Sequence, residues 1–345
     1  MPIKDYGSRR DKILELIIDS YINTAEPIAS RTISRKMRLS LSPATVRNVM
    51  SDLEELGFIR HPHTSAGRMP TEKGYRYYID KLMQAKLLTE EEKRQISREF
   101  KSRVQEVDGI LAKASKILSS ISSQTGIVLF PVWQRSVFKH IELIRLDESR
   151  ILVILMTESG FTKDIIIGIN GDVDDSQLTR ISNLINSHIG KGPISRIRRE
   201  IVQSLLAERD SFYYILEKAK AIIDLLLDIM KENKVYLDGR MHIAQQPEFE
   251  DIDKLKNLFG VLEDEDFLFS LLKKDLDEEG VRVHIGSEID SDGFTECSLI
   301  TCNYSIGERP CGTVGVIGPT RMEYPRLVSM VDYVASSLSK VLNEK

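Results

Sequence analysis

Apolar residues in the first part of the chain recur every three or four positions, broken at regular intervals by short polar runs. In SRRDKILELIIDSYIN (8–23) the spacing of Ile13, Leu16, Ile17 and Tyr21 predicts an amphipathic helix. EPIAS interrupts it with Pro27, and Ser30 is placed to cap a second short helix over RTISRKM. RLSLS is the turn that follows. Ser42 then stands as an N-cap with Pro43 at the first helical position, where an N–H would have no intrahelical partner. Val46, Val49, Met50, Leu53 and Leu56 form the apolar stripe of this third helix, and Gly57 ends it. FIR reads as a strand, HPHTSAGR as a loop, and TEKGYRYYIDKLM as a return to helix.

Three short helices, a strand and a basic loop, in that order, predict a winged helix-turn-helix. With its apolar stripe turned inward, the third helix presents Ala44, Thr45, Arg47, Asn48 and Ser51 outward. A recognition helix meets base edges with its N-terminal residues. Arg can bond guanine O6 and N7, and Asn adenine N6 and N7, each pair worth roughly 1–3 kcal/mol of discrimination. His63, Thr64 and Arg68 fall in the loop predicted as the wing, where Arg68 would set a cation against phosphate or in the minor groove. Ser42, with Ser30 and Arg31 at the start of the second helix, completes the candidate DNA-binding set.

Beyond this head the pattern changes twice. LLTEEEKRQISREF opens a helix with a Thr89–Glu92 capping box, and VQEVDGILAKASKILSSISS continues with Val104, Val107, Leu111, Ala114, Leu118 and Ile121 on one face. FKHIELIRL, RILVILM and KDIIIGI are strand-like runs joined by DES and ESGFT, links short enough for antiparallel hairpins. Helices dominate from Asp174 to Lys231. Among them FYYILEKAKAIIDLLLDIM is apolar around most of its circumference, as a core helix or a subunit interface would be. GVRVHIG, CSLITCNYSIG and CGTVGVIGP return to strand, and YPRLVSMVDYVASSLSKVL closes the chain as an amphipathic helix. Strands, a helical block, then strands again point to one domain inserted into another.

Composition narrows the function classes. Residues 1–89 carry 15 Lys+Arg against 10 Asp+Glu, a net of +5, whereas the remainder carries 33 against 42, a net of −9. Only the head is therefore expected to meet a polyanion. No apolar run reaches the roughly eighteen residues of a membrane span, so no membrane partner is expected. The polar start MPIKDYGSRR is no signal peptide, and three cysteines give no disulfide framework; together these predict a cytoplasmic protein. Cys297, Cys302 and Cys311 lack a paired C-x-x-C, GTVGVIGPT lacks the Gly-Lys-Ser/Thr ending of a phosphate loop, and NGDVDDS lacks the full calcium-loop pattern. No nucleophile–base pair or carboxylate couple emerges. The expectation is a protein without catalytic residues, metal or cofactor.

SPATVRNVMSDLEELGFIRHPHTSAGRMPTEKGYRYYID, QPEFEDIDKLKNL and CGTVGVIGPTRMEYPRLVSMVDYVA together resemble the bacterial heat-inducible transcription repressor HrcA family. The resemblance spans essentially the whole chain. It implies an α+β multidomain fold: a winged helix-turn-helix over 1–89, a GAF-like α/β domain in two parts (90–136 and 233–345), and an inserted dimerising domain over 137–232 with a three-stranded antiparallel sheet and helices. It further implies a homodimer that binds double-stranded DNA at an inverted-repeat operator (CIRCE) of chaperone operons. Release on heat stress and assistance by the GroEL chaperonin are implied as well. The alternative expectation is a winged-helix repressor that senses a small molecule through the GAF-like domain.

Overall fold

The computed structural model describes residues 3–36, 41–62, 67–101, 107–131, 138–158, 162–169, 173–189, 194–207, 213–229, 234–307 and 309–344. Contacts divide the chain into two compact units, one of residues 1–129, 235–303 and 313–338, the other of 130–234, 304–312 and 339–345.

The first unit begins with α1 (Ile3–Thr24), α2 (Ser30–Lys36) and α3 (Pro43–Glu55). Ile13, Leu14, Ile17 and Ile18 of α1, Ile33 of α2 and Val46 and Leu53 of α3 have no solvent exposure. The stripe on α1 is wider than the spacing implied: Leu14 and Ile18 are fully buried, while Leu16 and Tyr21 are only half covered. β1 (Ile59–Arg60) pairs antiparallel with β2 (Met69–Pro70), and Ile28 bridges Arg68 through backbone bonds of 2.8 and 2.9 Å. These pairings fasten the wing to the segment between the first two helices. α4 (Glu72–Tyr77) follows, capped by Thr71, and runs into one turn of π-helix over Tyr78–Leu82.

α5 (Glu90–Phe100) carries the capping box of Thr89 and Glu92, as its sequence predicts. α6 (Val107–Ser122) leads into β3 (Thr125–Leu129), a central strand of the sheet β7-β3-β10-β9-β8. The other strands are β7 (Val235–Asp238), β8 (Val281–Ile285), β9 (Cys297–Ile306) and β10 (Arg309–Pro319). All five residues of β3 are buried, so no alternation betrays it. A Cβ at Gly126 would lie 2.0 Å from the Ser115 carbonyl oxygen; glycine is what lets α6 lie against the strand. α11 (Ile252–Glu263), α12 (Glu265–Lys274) and α13 (Tyr324–Asn343) complete the unit, with a short α10 (Arg240–Ala244) after β7. The acidic run EDEDFLFSLLKKDLDEE lies largely on α12, which buries Leu268, Leu271 and Leu272.

The second unit is built on a three-stranded antiparallel sheet, β4 (Phe138–Arg145), β5 (Arg150–Thr157) and β6 (Thr162–Gly168), in that order. Ile141 and Leu143, then Ile151, Val153 and Leu155, then Ile165 and Ile167 alternate inward. α7 (Asp175–His188) satisfies the backbone of β4: Asn186 accepts from the Ile141 N–H at 2.8 Å and donates to its carbonyl at 2.9 Å. Asp174 and Gln177 form the capping box of α7. α8 (Ile194–Ala207) and α9 (Tyr213–Ile229) pack against each other and α7. α9 buries Ile215, Leu216, Ala219, Ile222, Ile223 and Leu226 yet exposes Tyr213, Tyr214 and Leu225.

Candidate nucleic-acid interface

The third helix is fixed at both ends by local chemistry. At its start the Ser42 hydroxyl accepts the Thr45 N–H at 3.1 Å, with Pro43 next in the chain. At its end the Gly57 N–H bonds the Glu54 carbonyl and the Phe58 N–H bonds the Leu53 carbonyl, both at 2.9 Å. That nested pair is a Schellman closure, and Gly57 supplies the left-handed φ of +75° it needs. Leu56, placed in the apolar stripe by its spacing, is 40% exposed instead, because the helix has reached its cap there.

Between these ends the two faces separate cleanly. Val46, Val49, Met50 and Leu53 are at most 4% exposed. Ala44, Thr45, Arg47, Asn48 and Ser51 are all exposed, and positions 44, 47, 48 and 51 share one helical face. The side chains of Arg47 and Asn48 make no hydrogen bond to any described residue, so their planar polar groups are available to a ligand. The Thr45 hydroxyl lies 3.0 Å from the Ser42 hydroxyl, and both are exposed.

Elsewhere the candidate set is less uniform. Ser30 does not cap the second helix; it is the first helical residue, and the Ala29 carbonyl accepts the Thr32 N–H at 2.9 Å. The cap is one residue earlier because the chain turns into helix immediately after the Ile28–Arg68 bridge. Arg31 is exposed and Ser30 half-buried. His63 and Thr64 lie outside the described residues. Arg68 is the surprise: its Nη2 pairs with the Glu54 carboxylate at 2.9 Å, and its Nη1 donates to His61 Nδ1 at 2.9 Å. A guanidinium can only donate, so that ring nitrogen must be the unprotonated one. Only 19% of the Arg68 side chain is exposed. Glu54 and His61, the residues that hold the wing arginine, were not among the sequence candidates. The i, i+14 separation of Glu54 and Arg68 leaves no local signal.

The head's buried tyrosines also have defined surroundings. Burial pushes the Tyr75 phenol well above its ordinary value, and burial followed by the Asp19 carboxylate does the same for Tyr78. The three cysteines are buried; for Cys302, burial first and Asp332 next push the thiol to about 11. No described helix is long and apolar enough to cross a membrane.

A recognition helix packed on the two helices before it, its polar face open and a two-stranded wing beside it, defines a winged-helix DNA-binding protein. Residues 6–83 match the family model described as "Winged helix-turn-helix transcription repressor, HrcA DNA-binding", and residues 108–328 match "HrcA protein C terminal domain". The chain belongs to the heat-inducible transcription repressor HrcA family. The member from Pelotomaculum thermopropionicum is 40% identical over 341 residues, spanning 97% of this chain and 96% of that one. The member from Geobacter sulfurreducens is 37% identical over 338 residues, spanning 98% of each. A crystal structure described as that of a hypothetical protein at 2.2 Å resolution aligns over 97% of this chain and 98% of its own, with a TM-score of 0.58 and 22% identity. It shares the fold. The named relatives are transcription repressors and not enzymes.

Proposed function

We propose that the protein is a homodimeric, cytoplasmic repressor of heat-inducible chaperone operons, acting at the inverted-repeat operator CIRCE and released on heat stress. The observation that carries the reading is the division of α3, with Arg47 and Asn48 exposed and unbonded above a buried Val46, Val49, Met50 and Leu53. Arg47 and Asn48 read base edges in the major groove, with Ala44 and Ser51 against the groove floor. Ser30, Arg31, Ser42, Thr45, His63, Thr64 and Arg68 set the register on phosphate and groove walls. For Arg68 this requires leaving Glu54 or sharing its guanidinium between carboxylate and phosphate.

In this reading residues 1–89 are the DNA-binding domain, 90–136 and 233–345 a GAF-like domain, and 137–232 an inserted dimerising domain. Supporting dimerisation is an uncovered apolar row across the sheet of the second unit: Ile144, Leu152 and Ile166 stand opposite one another on adjacent strands, with Ile144 42% and Ile166 58% exposed. A two-fold dimer presents its two recognition helices to a two-fold symmetric operator. Heating shifts the population from the DNA-competent form, and the GroEL chaperonin restores it; this part rests on family membership.

Anisotropy titration of the inverted repeat against a scrambled duplex, at two temperatures, two salt concentrations and with or without chaperonin, tests the proposal. Preference for the repeat at low temperature, loss on heating and recovery with chaperonin are expected. Equal affinity for both duplexes would refute the operator reading; recovery that ignores chaperonin would refute that partner.

A further inference from the structure

Polar ties and an aromatic contact join the winged helix to the rest of its own unit. Behind the wing, Arg76 of α4 donates from Nε to Glu288 Oε1 at 2.8 Å, from Nη2 to Glu288 Oε2, and from Nη2 to the Val283 carbonyl at 2.6 Å. Glu288 is held ready for that fork, because its carboxylate also accepts the Ile285 N–H at 2.9 Å. One turn earlier, Glu72 accepts the Ser287 N–H at 3.2 Å and the Ser287 hydroxyl. A Cβ at Gly286 would lie 2.1 Å from Glu72 Oε1, and the residue has a φ of +48°, so this corner fits Glu72 only as glycine. On α1, the Ile22 carbonyl, orphaned in the last turn, accepts from Arg321 at 2.8 Å while Arg321 holds Glu248 at 2.7 Å.

Between these ties Tyr75 and Tyr324 meet with ring centroids 5.8 Å apart, both buried. Beside them a cleft of about 440 Å³ is lined by Arg60 and Lys73 from the head and by Glu248 and Glu296 from the body. The junction is thus an aromatic pivot with charge forks around it. A planar Arg–carboxylate fork fixes angle as well as distance. The residues concerned lie 212 positions apart in the chain, so nothing in local folding demands their contact.

We propose that Arg76 and Glu288 are positioning residues that hold the reading head at one angle to its unit and so determine which half-site spacing a pair of heads accepts. The inference rests on the reading of a dimer at an inverted repeat. Three extra base pairs displace one half-site by ~10 Å and turn it by ~100° about the duplex axis. A head fixed by the fork cannot follow; a head turning on the tyrosine pivot can.

The test uses the full-length protein and its Glu288→Arg variant, which sets two cations face to face, together with the exchange Arg76→Glu/Glu288→Arg. Glu72→Gln, which weakens the neighbouring tie, serves as a second variant should Glu288→Arg not fold. Each is titrated by anisotropy against the inverted repeat, the repeat lengthened by three base pairs, and a single half-site. For the unmodified protein the lengthened repeat should bind ~100-fold more weakly, since the gain from linked binding is lost. Glu288→Arg should lose less than ~10-fold and Glu72→Gln an intermediate factor, and the exchange should restore part of the penalty, since it rebuilds the fork but not the bonds to the Val283 carbonyl and the Ile285 N–H. Half-site affinity should be the same in all four. An unchanged spacing penalty in Glu288→Arg or Glu72→Gln, or an exchange that restores none of it, overturns the inference. Absence of sequence preference in the unmodified protein, even on the half-site, instead overturns the DNA reading and this inference with it.

Discussion

The wing arginine offers the sharpest quantitative prediction. Arg68 stands 2.9 Å from Glu54 with 19% and 31% of the two side chains exposed, so the pair is screened but not fully solvated. At an effective dielectric near 20, two charges at this separation attract by several kcal/mol, of which desolvation and side-chain ordering remove most. Exposed pairs retain about 0.2–1 kcal/mol and charge-assisted hydrogen bonds about 1.5–3 kcal/mol. A coupling of about 1 kcal/mol follows for this partly covered pair. Urea unfolding of Glu54→Gln, Arg68→Ala and the double variant measures it as a double-mutant cycle. The same proteins separate structure from DNA contact. Glu54→Gln should lower stability yet tighten binding to any duplex, because Arg68 is released and a carboxylate near the phosphates is removed. Arg68→Ala should weaken specific and non-specific binding alike and reduce the salt slope by about one. A coupling near zero, or weakening of DNA binding by both variants to the same degree, would refute this account of the wing.

Three further outcomes follow from the fold. Ser42→Ala removes the acceptor of the Thr45 N–H and should cost about 1 kcal/mol in urea unfolding; no change would mean the cap is dispensable. Gly126→Ala drives a methyl group to 2.0 Å from the Ser115 carbonyl and should cost upwards of about 2 kcal/mol, since neither helix nor strand backbone can yield locally; a wild-type melting curve would contradict the packing described. Tyr75 and Tyr78 have raised pKa values in the folded state, chiefly from burial. Their contribution is complete below the ordinary phenol value of about 10 and is lost as pH rises beyond it. Unfolding free energy measured from pH 8 to 11.5 should fall above pH ~10 and fall less in Tyr78→Phe; a flat profile would contradict the burial.

Much of this was legible in the sequence where the signal is local. Ser42, Pro43 and Gly57 bracket α3 by cap chemistry alone, and the inward positions of the second unit's hairpin strands alternate visibly. β3 is silent in the sequence because all five of its residues are buried: a short strand covered on both faces shows no alternation of apolar and polar positions. β7 and the two-residue wing strand at Met69–Pro70 are too short to show a period. The sequence puts the cap of α2 at Ser30, one position late, because a tertiary bridge and not a side-chain cap starts that helix. The outward face of α3 could be drawn from periodicity. The carboxylate on Arg68, the Glu288 fork on Arg76 and the Ile22 carbonyl on Arg321 could not, since chain folding brings these pairs together from 14, 212 and 299 residues apart.

The central claim is that the polar face of α3 lies in the major groove with Arg47 on a guanine. Replacing each operator guanine in turn by 7-deazaguanine deletes the N7 acceptor and leaves Watson–Crick pairing intact. At one guanine per half-site the unmodified protein should lose about 1–3 kcal/mol of binding, and Arg47→Ala, already weakened, should lose nothing more there. If Arg47→Ala responds to every 7-deaza position as the unmodified protein does, Arg47 does not read that base and the docking described here is wrong.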